Sequence, residues 1–75
     1  MYYNIDWEKT KEKVRWMMKE RNYTLKKMAS DLYMSESSVK NYIYGKSGIP
    51  TGVLLSMVDI FGKDKIEDIL AFLDD

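Results

Sequence analysis

Within one short stretch, Glu36, Ser37, Lys40 and Asn41 combine a carboxylate, a hydroxyl, an ammonium and a carboxamide at a spacing that brings them to one side of a helix. Covalent chemistry is a poor use for such a set. Nucleophilic catalysis needs a base beside serine or threonine, and the chain has neither histidine nor cysteine to form the commonest pairs. The same groups are well suited to reading the edges of base pairs. Asparagine bonds adenine through two contacts, lysine donates to guanine, glutamate accepts from cytosine, and serine bonds either a base or a phosphate. Around them stand Thr24, Leu25, Lys26, Lys27, Ser35, Tyr44, Lys46 and Ser47, which offer hydroxyls, helix-terminal amides and ammonium groups suited to phosphate.

These side chains need two short helices to hold them. Thr24 and Ser35 can each accept a backbone N–H and so begin a helix. Their separation leaves room for about two helical turns and a tight connection. Leu25, Met28, Ala29 and Leu32 recur on one face of the first helix, and Ala29 is small enough for close crossing. Val39, with Met34 before it and Tyr42 or Ile43 after it, supplies the buried side of the second. Glu36, Ser37, Lys40, Asn41 and Tyr44 are left facing outward, and Gly45 is expected to end that helix in the left-handed conformation.

The flanking segments predict three further helices. Asp6 caps one running to about Arg21, with Trp7, Thr10, Val14, Met17 and Met18 as its inner stripe and Asn22 ending it. Trp16 falls off that stripe, as a partner contact or packed under Tyr2 and Tyr3 of an N-terminal arm, residues 1–5. Pro50 and Thr51 open a fourth helix ending at Phe61-Gly62. It is apolar on several faces and therefore expected to be buried nearly all round. Asp64 and Glu67 have capping-box spacing for a fifth helix through Ile66, Ile69, Leu70, Phe72 and Leu73. The expected fold is all-α, a compact five-helix bundle forming a single domain over residues 1–75, with the methionines filling the core.

The run from Thr24 to Gly45 resembles the helix-turn-helix of the phage-repressor and Cro type, the XRE family, and the resemblance extends over roughly residues 14–70. Val14 and Met17 fall at apolar positions of helix 1, Thr24 at the helix 2 cap, Ala29 at the crossing residue, Ser35 at the helix 3 cap and Val39 at its core position. Gly45-Lys46 and the helix from Pro50 to Phe61-Gly62 complete the order. This similarity implies a lambda-repressor-like DNA-binding domain whose helix 3, about residues 35–44, enters the major groove of double-stranded DNA. It implies a sequence-specific transcriptional regulator, a small repressor, either with a homodimer through helix 5 near Phe72 or as a monomer whose core Phe72 caps. Two recognition helices would then lie about 34 Å apart on a palindromic site. An interaction module that kept the fold but lost DNA binding, and the antitoxin half of a toxin pair, are the alternatives with a protein partner.

The chain departs from the family pattern at several positions. Leu25 stands where many members carry glutamine, Met18 replaces a frequent arginine, and the Gly45–Pro50 segment is one residue longer than the commonest form. Tyr33 sits where the turn often has glycine. A left-handed tyrosine is costly, so an altered turn is expected.

Composition bounds the rest. A 75-residue domain buries only about 60% of its unfolded surface. Without cysteine or histidine the usual zinc sets are missing, and neither metal nor cofactor is expected. No apolar run approaches the roughly 18 residues of a membrane span, and the N-terminus lacks the regions of a signal peptide, so a cytoplasmic location away from membranes is expected. Gly45-Lys46-Ser47 lacks the first glycine and strand of a phosphate-binding loop, and Glu67 and Asp68 point apart on a helix. No catalytic set is visible, and the chain does not read as an enzyme. Net charge is zero but unevenly placed: residues 9–27 carry eight basic groups against two acids, and residues 59–75 carry six acids against two lysines. A phosphate backbone would be drawn to the first segment and repelled by the second.

Overall fold

The computed structural model describes residues 4–64 and 66–73. Among these residues four α-helices follow in order, α1 (Trp7–Glu20), α2 (Leu25–Leu32), α3 (Glu36–Tyr44) and α4 (Thr51–Ile60), and then a 3-10 turn at Ile66–Asp68. The first three begin at side-chain caps. Asp6 accepts from the Lys9 N–H at 3.0 Å, Thr24 from Lys27 at 3.1 Å and Ser35 from Ser38 at 3.1 Å. Each satisfies a donor that the helix cannot pair internally. Val14 of α1, Met28 of α2, Val39 and Ile43 of α3, Met57 of α4 and Ile69 meet in one core. Met17 and Met18 are buried with them, in keeping with methionine as a filler of irregular core space.

Among the described residues the expected fifth helix does not form. After the 3-10 turn the chain runs extended, with Phe72 bridged antiparallel to Ile5. Asp6 N–H donates to the Ala71 carbonyl at 2.9 Å and Leu73 N–H to the Asn4 carbonyl at 2.9 Å. Thr10, fully buried on α1, accepts from the Ala71 N–H at 2.8 Å. The amides that a helix would have used are thus paired with the N-terminal segment and α1. A helix this short is marginal by itself, and Asp74-Asp75 would place negative charge at its negative end. Residues 4 and 5, expected in a free arm, are pinned by the same pairing. Trp16 is exposed, and the expected cover from Tyr2 and Tyr3 lies outside the described residues.

Thr10→Val tests this anchor, because it keeps the shape of the side chain and leaves the Ala71 N–H without its partner. A loss of about 1–3 kcal/mol is expected, read as a lower urea midpoint at unchanged slope. An unchanged midpoint would show that the amide finds another acceptor.

Absence of a fifth helix also explains a second difference. α4 is not buried all round: Leu54 and Met57 face the core, whereas Leu55 is 57% exposed. With no helix laid along its far side, one stripe of α4 meets the core and the rest meets solvent.

α1 acts as the clamp of the fold. Lys13 Nζ donates to the Leu70 carbonyl at 3.2 Å, and Arg21 donates to the Phe61 carbonyl at 3.4 Å while its guanidinium lies 5.5 Å from the Phe61 ring centre. Phe61 is the C-cap of α4, and a cation there satisfies a carbonyl that has no partner within the helix.

Tyr23, just before the α2 cap, packs edge-on to Phe61 at 6.0 Å between ring centres and donates its hydroxyl to the Asp31 carboxylate. Burial, the hydrogen bond and the Asp31 charge together raise the phenol well above its ordinary value of 10.0. The folded state therefore holds this proton more tightly than the unfolded chain. The resulting stabilisation is fully present below pH 10.0 and is lost as pH climbs toward the raised folded-state value. Wild type should lose more stability than Tyr23→Phe between pH of about 8 and about 11, as read by urea midpoints. Equal losses would exclude Tyr23 as the source.

Candidate nucleic-acid interface

α3 owes its two-sided character to the residues at its inner positions. Val39 and Ile43 are 0% and 1% exposed, which turns Glu36, Ser37, Lys40, Asn41 and Tyr44 outward. Ser37, Lys40, Asn41, Tyr44 and Gly45 line one open depression along the helix. Glu36 is exposed on the first turn but does not line it. Three of the four expected base-reading residues are thus brought together. Glu36 stands at the positive end of the helix, where a carboxylate is favoured by the dipole.

The residues expected to meet phosphate divide by how they are engaged. Thr24 is exposed with its hydroxyl accepting from Lys27 N–H, so its proton remains to donate. Leu25 is half-buried against the core and contributes its backbone rather than its side chain. Lys26, Lys46 and Ser47 are exposed. Lys27 lies 3.7 Å from Asp31 in an exposed i, i+4 pair, an interaction weak enough to exchange for phosphate. Ser35 both accepts from the Ser38 N–H and donates to the Ser38 hydroxyl at 2.9 Å, so its side chain is occupied by the cap. Tyr44 is 62% exposed, with its ring 5.1 Å from the Arg15 guanidinium in cation–π contact.

The turn between α2 and α3 keeps the left-handed geometry despite its tyrosine. Tyr33 has φ 56° and ψ 43°, so the altered turn expected from this residue is not found. Its N–H bonds back to Ser30, Met34 N–H to Ala29, and these bonds hold the conformation that the side chain alone would disfavour.

Gly45 corrects the opposite expectation. Its φ of −76° and ψ of −177° are extended, not left-handed. Glycine is required there by close approach: a Cβ would lie 2.3 Å from the Asn41 carbonyl oxygen and 2.6 Å from Asn41 Oδ1. The Gly45 N–H donates to that same carbonyl at 2.8 Å.

Lys11 and Arg15 belong to the positive segment at residues 9–27, and both are engaged inside the fold. Lys11 is 3% exposed, and its Nζ donates to the Gly45 carbonyl at 2.5 Å. Arg15 donates to the Ile43 carbonyl. Together they hold the end of α3 against α1. Desolvation, and then repulsion from Arg15, lower the Lys11 ammonium below its ordinary range. A signal was present in the spacing: Lys11 and Arg15 each follow a residue of the inner stripe, Thr10 and Val14, and so stand at the edge of the core.

Two short capped helices, a left-handed turn between them, and a second helix buried on one side and polar on the other define a helix-turn-helix of the DNA-binding class. The family model of the Cro/C1-type HTH DNA-binding domain matches residues 13–75, and the chain belongs to that family. Comparison with curated proteins and with solved structures gave no match. No helix among the described residues is long and apolar enough to cross a membrane.

Proposed function

We propose that this protein is a sequence-specific transcriptional regulator, a small repressor that acts in the cytoplasm, with residues 1–75 forming one DNA-binding domain. α3 lies in the major groove, where Ser37, Lys40 and Asn41 read base edges and Glu36 accepts from a cytosine. The amides and hydroxyl at Thr24 and Leu25, with Lys26, Lys27, Tyr44, Lys46 and Ser47, hold the flanking phosphates. The observation that carries the reading is the outward face of α3, where Lys40 and Asn41 are exposed and make no ion pair or side-chain hydrogen bond within the described protein. Occupying a promoter in this way is enough for repression.

A two-fold dimer would use the uncovered side of α4 and the extended Phe72-Leu73 segment in place of a fifth helix. Selection from a pool of randomised duplexes tests the proposal. Enrichment of a common motif, palindromic for a dimer, is the expected result, and a bound pool no different from the input would overturn sequence-specific binding. An interaction module or an antitoxin, with a protein partner, is the competing reading. It draws on Glu36 and on the engagement with carbonyls of Lys11, Lys13 and Arg15 on α1 and of Arg21 at its end.

A further inference from the structure

Tyr33 is held in the left-handed conformation, φ 56°, which glycine adopts freely and an L side chain adopts at a cost. The side chain is 95% exposed, so packing does not offset that cost. It makes no hydrogen bond, ion pair or ring contact with the described protein. Exposed tyrosines are ordinary, but one placed where the backbone favours glycine is a loss to the fold with no return inside it.

Its position says what lies outside. Tyr33 is two residues before Ser35, the cap of α3, and two residues span at most about 7 Å. The major groove is about 12 Å wide. With the start of α3 in the groove, Tyr33 stands at its rim, where the phosphates run. We propose that Tyr33 contacts the DNA backbone there, its phenol hydroxyl donating to a phosphate oxygen on a strand bordering the groove. This rests on the reading of the protein as a DNA binder.

Binding to an arbitrary duplex, measured at low salt and across a salt series for wild type, Tyr33→Phe, Tyr33→Gly and Tyr33→Asn, tests the assignment beside thermal melts of each. Tyr33→Phe keeps the backbone and ring and should weaken binding roughly two- to tenfold, the fold-change carried by one ordinary hydrogen bond. Tyr33→Gly and Tyr33→Asn should melt no lower than wild type and bind at least as weakly as Tyr33→Phe. The slope of log affinity against log salt should stay constant, because a neutral hydroxyl displaces no counterion. Tyr33→Phe binding as tightly as wild type would overturn the contact, even if Tyr33→Gly alone were weaker through a looser turn. A wild-type chain that binds no duplex would instead overturn the DNA reading, and this assignment with it.

Discussion

Gly45→Ala is expected to destabilise the protein by about 1–3 kcal/mol and to weaken duplex binding, although residue 45 needs no contact with a base. The new methyl group would sit 2.3 Å from the Asn41 backbone carbonyl, which is part of α3 and not a flexible side-chain end. Relief requires the end of α3 to unwind or shift. Either movement disturbs the Gly45 N–H bond to Asn41 and the Gly45 carbonyl that receives Lys11. It also displaces Lys46 and Ser47, which follow directly. Urea midpoints and duplex affinity measured on the same variant check both effects. A variant as stable and as tight-binding as wild type would show that the end of α3 gives way without consequence.

Asn41→Ala is expected to act on binding and leave stability within about 0.5 kcal/mol, since the side chain is exposed and makes no hydrogen bond in the described fold. On the selected site it should cost about 1–3 kcal/mol and relax discrimination at one base pair, because the carboxamide can satisfy two groups of an adenine at once. Competition between the selected duplex and single-base variants reads this directly. An equal loss on every sequence would move Asn41 from reading bases to holding phosphate. No loss on any would remove it from the interface.

The contrast between these substitutions shows what was legible in the chain. Caps and periodicity act over a few residues, so Asp6, Thr24 and Ser35, the inner stripe of α1 and the two faces of α3 could be read directly. What misled was local preference overruled by distant pairing. Residues 66–73 have helical spacing, yet Thr10 and the segment at residues 4–6 take their amides into an extended pairing. Gly45 and Tyr33 depart from the usual habits of their residue types. In the fold, glycine answers a close approach, and tyrosine is carried into a left-handed turn by the backbone bonds around it. Summed charge does not say which cations are engaged within the fold. Lys11, Lys13 and Arg15 on α1 and Arg21 at its C-cap are engaged by carbonyls of other segments, which only three-dimensional contact reveals. On the helix-turn-helix and just after it, Lys26, Lys40 and Lys46 are exposed, and Lys27 is held only by its exposed pair with Asp31.

An amide NMR titration with an arbitrary duplex at low salt tests the central claim most directly. Non-specific affinities of DNA-binding domains fall at roughly 10⁻⁴–10⁻⁶ M even at physiological salt, so no operator need be known. Shifts concentrated at residues 24–27 and 33–47, and reversed by added salt, are the predicted result. No shifts at millimolar duplex, or shifts confined to α4 and the Phe72-Leu73 segment, would contradict it.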